Sequence, residues 1–386
     1  MNKLLLQQEV QDFIHSYEQP LTALAFSGSP FEGISVQELL QQIEGRRKAY
    51  KKLPTWYAAK GVIYPPKLNL EQTSSERTAA YKASLCEGGS CIDVTGGFGI
   101  DTLYFAQHFD KVAHCEQNHS LAELAQHNLK LLSSHPINFY VGDGLENALS
   151  NSFDLIFIDP SRRHDSKGKV FYLKDCEPQV PQQVDKLLDH CQTLMIKTSP
   201  MLDIGVGLKE LKQVTEIHIV AVQNEVKELL WIIRKESSAT KVITINLTNK
   251  GDHLFTFNHG DYEDVSYSTP REFLYEPNAA ILKSGAFTLL PSAFGVQKLA
   301  QHTHLYTSDE KIDFPGRRFQ ILEVKPYSKK DLKGIRGIKA HISTRNFPES
   351  VATLRKKWNI KDGGERYLFF ATLDNDQKVL IVTQKV

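Results

Sequence analysis

Asp159-Pro160-Ser161-Arg162-Arg163 follows the apolar run Phe153–Ile158, which reads as a buried strand. A carboxylate beside a main-chain carbonyl, with proline fixing the backbone angle, gives two hydrogen-bond acceptors of set direction. Such a pair can draw the N–H hydrogens of a ring amine out of plane and free the lone pair that the ring delocalises. The work done is positioning, plus stabilisation of the positive charge that develops on the nitrogen. Asp159 is also able to take the released proton. Asp159, Pro160 and Arg162 are the candidate catalytic group. Arg162 and Arg163 read either as clamps on a phosphate or as ion-pair partners of Asp165 and the 174–177 segment. Lys197, in Lys197-Thr198-Ser199-Pro200 at the end of the next apolar run, reads as lining of the same cleft or as a simple loop.

A second constellation lies upstream. Cys91-Ile92-Asp93-Val94-Thr95-Gly96-Gly97-Phe98-Gly99-Ile100-Asp101-Thr102 is a strand, a glycine turn and a helix start. Glycines let a ligand approach the backbone, and the helix offers free N–H groups. A dinucleotide site usually has an apolar residue where Asp93 stands. A site for S-adenosylmethionine has use for a carboxylate there, against the cationic amino group of the methionine part. Counted from Gly97, the third glycine of G-x-G-x-x-G would fall on Thr102; its absence again favours adenosylmethionine over NAD. Glu116, about 20 residues past the glycines, stands where an acid grips ribose hydroxyls. Asp143, in Val141-Gly142-Asp143-Gly144, is placed to accept from the exocyclic amine of adenine. Each acid also reads as a plain helix cap. Thr95, Gly96, Gly97, Gly99, Asp101 and Gly144 complete the candidate cofactor set. Ser74 and Ser75 read as a capping-box N-cap or as contacts to the methionine end.

These residues need a scaffold. Residues 1–65 carry apolar residues at helical spacing, with Ser35 as an N-cap, and read as an N-terminal helical domain. From 66 to 240 strands and helices alternate, with a helix over 178–189 ahead of the strand 192–197, which implies a parallel sheet covered on both faces. That stretch ends on two strands, 216–222 and 228–233, joined by a turn over Gln223–Lys227, so an antiparallel hairpin closes the sheet. Residues 241–310 read as a small connecting α+β module without assignable chemistry. Residues 311–386 read as strands 318–324 and 338–343, helix 348–358 and the pair 366–373 and 377–384.

With these residues set out, Asp159-Pro160-Ser161-Arg162 resembles the Asp/Asn-Pro-Pro-x motif of class I (Rossmann-like) S-adenosylmethionine-dependent methyltransferases that act on amines. It is most similar to the Asp-Pro-Pro-Arg form of RNA guanine-N2 enzymes and departs from it at Ser161. The resemblance implies a seven-stranded sheet, parallel with an antiparallel edge hairpin, over about residues 66–235. Residues 311–386 resemble the THUMP-like module of bacterial RNA-methyltransferase-like proteins, through Arg317-Arg318-Phe319-Gln320-Ile321-Leu322, Lys339–Pro348 and the last two strands. That resemblance implies docking of structured RNA, with Lys325, Lys330, Lys333, Arg336 and Arg345 against phosphates.

Composition agrees with a soluble protein: 41% of the 386 residues are hydrophobic and 24% charged. The net charge of +1 hides an asymmetry, because residues 311–361 hold 14 Lys+Arg against 4 Asp+Glu. A polyanion-facing module on a neutral or acidic one has this pattern. Five unclustered cysteines, no apolar run of membrane length and no signal-peptide core point to a cytoplasmic protein without metal or membrane partner. The expected activity is methylation of an exocyclic base amine in tRNA or rRNA. The alternatives are a small-molecule or protein methyltransferase and a non-catalytic RNA-binding protein of the same fold.

Overall fold

The computed structural model describes residues 1–162, 172–235 and 239–386, with the backbone alone at Arg162. It divides into two compact units, Met1–Ile217 with Glu228–Ser238, and His218–Lys227 with Ala239–Val386.

The first unit opens with helices α1 (Gln8–Ser16), α2 (Leu21–Ser27), α3 (Val36–Lys52), α4 (Pro54–Ala58), α5 (Lys67–Gln72) and α6 (Glu76–Ala83). Ser35 starts α3 through a full capping box: its hydroxyl accepts the Glu38 N–H at 3.2 Å, and Glu38 accepts the Ser35 N–H at 2.8 Å. Pro54 sits at the first position of α4, where no N–H is needed. The apolar stripe of these helices does not close on itself. Val10, Leu39, Ile43 and Trp56 share one core with Phe98, Ile100, Leu103, Leu124 and Leu129. Burying each such side chain contributes about 1.5–3 kcal/mol.

The α/β part alternates β1 (Gly88–Asp93), α7 (Ile100–Phe105), β2 (Phe109–Glu116), α8 (His119–Leu132), β3 (Ile137–Val141), α9 (Gly144–Ser150) and β4 (Phe153–Ile158). There follow the two-residue strands β5 (Ser161–Arg162) and β6 (Cys176–Glu177), then α10 (Val184–Asp189), β7 (Cys191–Thr198), α11 (Ile204–Leu211), β8 (Glu216–Val222) and β9 (Glu225–Arg234). Within this unit the order is β9-β7-β4-β1-β2-β3. Neighbours from β7 to β3 are parallel, and β9 is antiparallel to β7. Leu155–Ile158 and Leu194–Ile196 are fully buried, as strands covered on both faces must be. The chain leaves β1 toward β2 on one side and has β4 on the other, which makes β1 and β4 the switch point of the sheet.

Two local expectations are corrected. The turn after β8 has two residues, not five: Gln223 and Asn224 both take left-handed angles, φ 50° and 67°, and extended structure resumes at Glu225. That is the hairpin geometry that asparagine tolerates, and the polar residues Glu225–Lys227 hid it. The helix expected over 178–189 starts only at Val184, because Pro181 lies in a separate 3-10 turn, Val180–Gln182.

The second unit contains β10 (Lys241–Leu247) and β11 (His253–Asn258), an antiparallel pair. It continues with β12 (Phe273–Pro277), α12 (Ala279–Ser284), α13 (Leu290–Phe294), β13 (Gln297–Lys298), β14 (Tyr306–Ser308), β15 (Gly316–Pro326), β16 (His341–Arg345), α14 (Val351–Trp358), β17 (Arg366–Thr372) and β18 (Lys378–Lys385). These strands form one sheet, ordered β13-β14-β12-β15-β18-β17-β16. Strand β12 pairs with β15, so the sheet runs through residue 310, where the sequence suggested a module boundary. Leu354 and Trp358 of α14 cover Leu368, Phe370, Leu380 and Val382.

Trp56 is fully buried, its ring 6.2 Å from that of Phe98. Trp56→Ala is expected to cost about 3–5 kcal/mol in urea denaturation. Trp56→Phe should cost clearly less, because it also removes an indole N–H that is buried without a partner among the described residues.

Candidate functional site

Asp93, the last residue of β1, is buried at the switch point. One carboxylate oxygen accepts the Thr95 N–H at 3.2 Å and the other the Thr102 hydroxyl at 2.7 Å. Burial pushes its acid constant up to about 8; the bond from Thr102 opposes this, and the carboxylates of Asp101 and Asp159 add to it. Thr102, where a dinucleotide turn would have its third glycine, thus holds the acid. Its hydroxyl also lies 2.9 Å from Nδ1 of His114. With that hydroxyl donating to Asp93, Nδ1 is the donor, and Nε2 is buried without a partner among the described residues. Burial lowers the His114 acid constant to about 4, so the ring is neutral. The ring sits against Gly96, where any β-carbon would collide with it.

Asp159 directly follows β4. Its N–H donates to the Thr95 hydroxyl at 2.7 Å, which couples the glycine turn to the tip of β4. Its carboxylate takes an ion pair from Lys197 of β7. This cation was read from the sequence as lining of the cleft or as part of a simple loop, not as a partner of Asp159. Burial works against the Lys197 charge, yet Asp159, Asp101 and Glu228 outweigh it and hold its acid constant above the usual lysine range. Pro160 is buried beside Asp159. The backbone of Arg162 pairs with Cys176 in β5 and β6, and Arg163 lies outside the described residues.

A network that sequence reasoning missed underlies both tips. Lys82 of α6 has no exposed surface. Its ammonium meets Glu228 of β9 at 2.6 Å, Asp101 of α7 at 3.2 Å and the Ser74 hydroxyl at 3.1 Å. Ser74 in turn donates to Asp101 at 2.7 Å. The two serines therefore differ: Ser75 caps α6 by accepting the Thr78 N–H, and Ser74 faces the acids. A lysine one residue before the end of a short helix gives no sign of this role in one dimension.

The remaining candidates bind the chain itself. Glu116 accepts the Gly97 N–H at 2.9 Å and the Asn118 N–H at 2.7 Å. Asp143 caps α9 by accepting the Leu145 N–H at 2.9 Å. Both retain lone pairs for a ligand. Gly97 and Gly99 have φ of 55° and 86°, angles that favour glycine. Gly144 lies so close to the Val94 carbonyl that a β-carbon would overlap it. In the second unit Lys330, Lys333 and Arg336 are exposed, and Lys325 pairs with Glu323 at 3.0 Å. Arg345 is bound to buried Glu276 at 2.6 Å, and Arg317 shares that carboxylate. All five cysteines are free thiols. No described helix is long and apolar enough to cross a membrane.

Residues 273–315 match a ferredoxin-like domain family, and residues 316–385 match a THUMP domain-like family. A crystal structure of a candidate methyltransferase from Porphyromonas gingivalis W83 is similar over 100% of this chain and 99% of its own, with 32% identity and a TM-score of 0.90. The chain belongs to that protein's family. Two remote likenesses cover less than half of the chain. An rRNA methylase from Streptococcus thermophilus is 15% identical over 42% of this chain and 96% of its own, with a TM-score of 0.31. A Pyrococcus abyssi tRNA (uracil-54, C5)-methyltransferase, in complex with S-adenosyl-L-homocysteine, is 19% identical over 40% of this chain and 37% of its own, with a TM-score of 0.30. No curated protein matches the chain.

Lys82→Met removes the shared cation and leaves Asp101 and Glu228 buried. The expected loss is about 3–5 kcal/mol of stability in urea denaturation. Adding Glu228→Gln should recover part of it; a double variant as unstable as the single one would remove Lys82 from this role.

Proposed function

We propose that the protein is an S-adenosylmethionine-dependent methyltransferase that acts on an exocyclic base amine in structured RNA, tRNA or rRNA. The observation that carries this reading is Asp93, a carboxyl buried at the switch point whose described partners are neutral donors, with no cation among them. An ammonium group placed there supplies the missing charge, so the donor set fits adenosylmethionine. Asp93 would take the amino group, Glu116 the ribose hydroxyls and Asp143 the adenine amine. Gly97 keeps the turn open, since a β-carbon there would meet nothing closer than the Thr95 carbonyl at 3.7 Å. When bound, the cofactor supplies an electrophilic methyl group.

The chain's own residues do the rest. Asp159 and the Pro160 carbonyl accept the N–H hydrogens of the amine and turn its lone pair toward the donor. Lys197 and the Thr95 hydroxyl hold Asp159 at the tip of β4. The RNA part of the reading is supported by the basic excess over 311–361, the exposed Lys330, Lys333 and Arg336, and the THUMP domain-like match.

Incubation with radiolabelled adenosylmethionine and bulk RNA from a strain lacking the gene, followed by digestion to nucleosides, tests the reading. Label in one modified base is expected; no label in any nucleoside would overturn it. Asp159→Ala should lower that transfer by at least roughly 100-fold while adenosylhomocysteine still binds in calorimetry. Undiminished transfer would remove Asp159 from its role.

Binding should also be linked to protons. An ammonium beside Asp93 favours the ionised carboxylate, so below about pH 8 binding of adenosylhomocysteine releases a proton. Affinity should rise with pH, by up to about tenfold per unit, and level off above that point. Calorimetry in two buffers of different ionisation heat measures the release, and Asp93→Asn should abolish it.

A further inference from the structure

The described charges of the crevice do not balance. Asp93, Glu228 and Asp101 are 1%, 2% and 9% exposed, and Asp159 is half-buried beside them. Asp93 holds its proton below about pH 8, and against the other three carboxyls stand two lysines, Lys82 at 0% and Lys197 at 8%. His114 adds no charge, being neutral. Both lysines are already committed. Lys82 is divided between Glu228 and Asp101, and Lys197 is bonded to Asp159. Asp101 Oδ1 lies 3.2 Å from the Lys82 ammonium, yet it is buried and accepts no hydrogen bond from the described residues.

The fold concentrates this surplus at one place. Strands β1 and β4 are neighbours, with Asp93 opposite Phe157, and the Val94 N–H bonds the Phe157 carbonyl at 3.0 Å. Two residues on, Asp159 is bonded to Thr95. Lys197 joins the group from β7, beside β4, where Ile196 stands opposite Ile158. Asp101 and Asp159 both raise the acid constant of Asp93, as carboxylates within electrostatic reach do. Burial of a charge is costly unless an opposite charge meets it. A cationic ligand relieves this arrangement, and a neutral ligand of the same shape does not.

We propose that the surplus of carboxyl over lysine makes the crevice select the sulfonium methyl donor over its thioether product. The inference rests on the reading of this crevice as the adenosylmethionine site. Adenosylmethionine and adenosylhomocysteine carry the same adenine, ribose, amino and carboxyl groups. They differ in a sulfonium against a thioether, hence in one positive charge. Asp93 serves the amino group common to both, so the remaining carboxylates decide between them. Once the methyl group has left, the ligand loses the charge that these carboxylates favour, and the product dissociates without strong inhibition of the next turnover.

Calorimetry on the full chain tests this with three ligands: adenosylmethionine, adenosylhomocysteine, and sinefungin, in which a protonated amine takes the place of the methylsulfonium. The first and third are expected to bind at least about tenfold more tightly than adenosylhomocysteine, a difference of about 1.4 kcal/mol. Asp159→Asn should shrink that ratio while binding of adenosylhomocysteine persists; Asp101→Asn makes the same comparison should the first variant fail to fold. Equal or tighter binding of adenosylhomocysteine by the unaltered protein would overturn the inference and leave the cofactor reading standing. A ratio unchanged in a folded variant would overturn the assignment to these carboxylates. Binding of none of the three would fell the cofactor reading itself.

Discussion

A lysine without exposed surface is shared by two carboxylates that reach it from elsewhere in the chain, Glu228 lying 146 residues away. Through Lys82 the helix ahead of the first strand, the helix after the glycine turn and the reversed strand β9 are joined by charge. Removing three charges from water costs several kcal/mol each, recovered only where geometry and hydrogen bonds are good. Ser74 supplies two of those bonds, one accepted from Lys82 and one donated to Asp101. The arrangement holds acidic groups beside the switch point of the sheet, where a core of similar volume would otherwise be apolar. The candidate site depends on that tolerated cost.

The acids at the strand tips also have structural duties. Glu116 ties Gly97 to Asn118, Asp143 starts α9, and Asp93 fixes the first turn residue through the Thr95 N–H. A carboxylate has about four lone-pair directions, so a cap does not use it up. The glycines have different reasons. Gly96 makes room for the His114 ring and Gly144 for the Val94 carbonyl, while Gly97 and Gly99 adopt left-handed angles. Close packing and backbone angle together shape the turn that a ligand would cross.

In the second unit, Glu276 illustrates how a buried carboxylate disposes arginines. It holds Arg317 and Arg345 from β15 and β16, and Arg317 donates onward to Ser343. An arginine committed in this way has less to offer a phosphate than the exposed Lys330, Lys333 and Arg336. The basic excess counted along the chain therefore overstates the charge free for a partner, because pairing with acids distant in sequence is invisible to such a count.

What could be read from the sequence was local. The apolar period of β4 and β7, the Ser35 cap and the acids closing β1 and β2 follow from spacing and side-chain type, because those properties act within a few residues. Where turn chemistry competed with polarity, as at Gln223-Asn224, the reading erred by three residues; proline cut α10 short in the same fashion. The ferredoxin-like strand β12 was missed altogether, since five residues ending in proline carry no clear alternation. The long-range partners were decided by the tertiary structure alone. Lys82 with Glu228, Lys197 with Asp159 and His114 with Thr102 meet only after strands and helices have stacked. Sequence by itself placed the carboxyls at the strand ends. Which cations face them, and how much charge is left over, depends on burial and on distances through space, and neither quantity exists until the chain has folded.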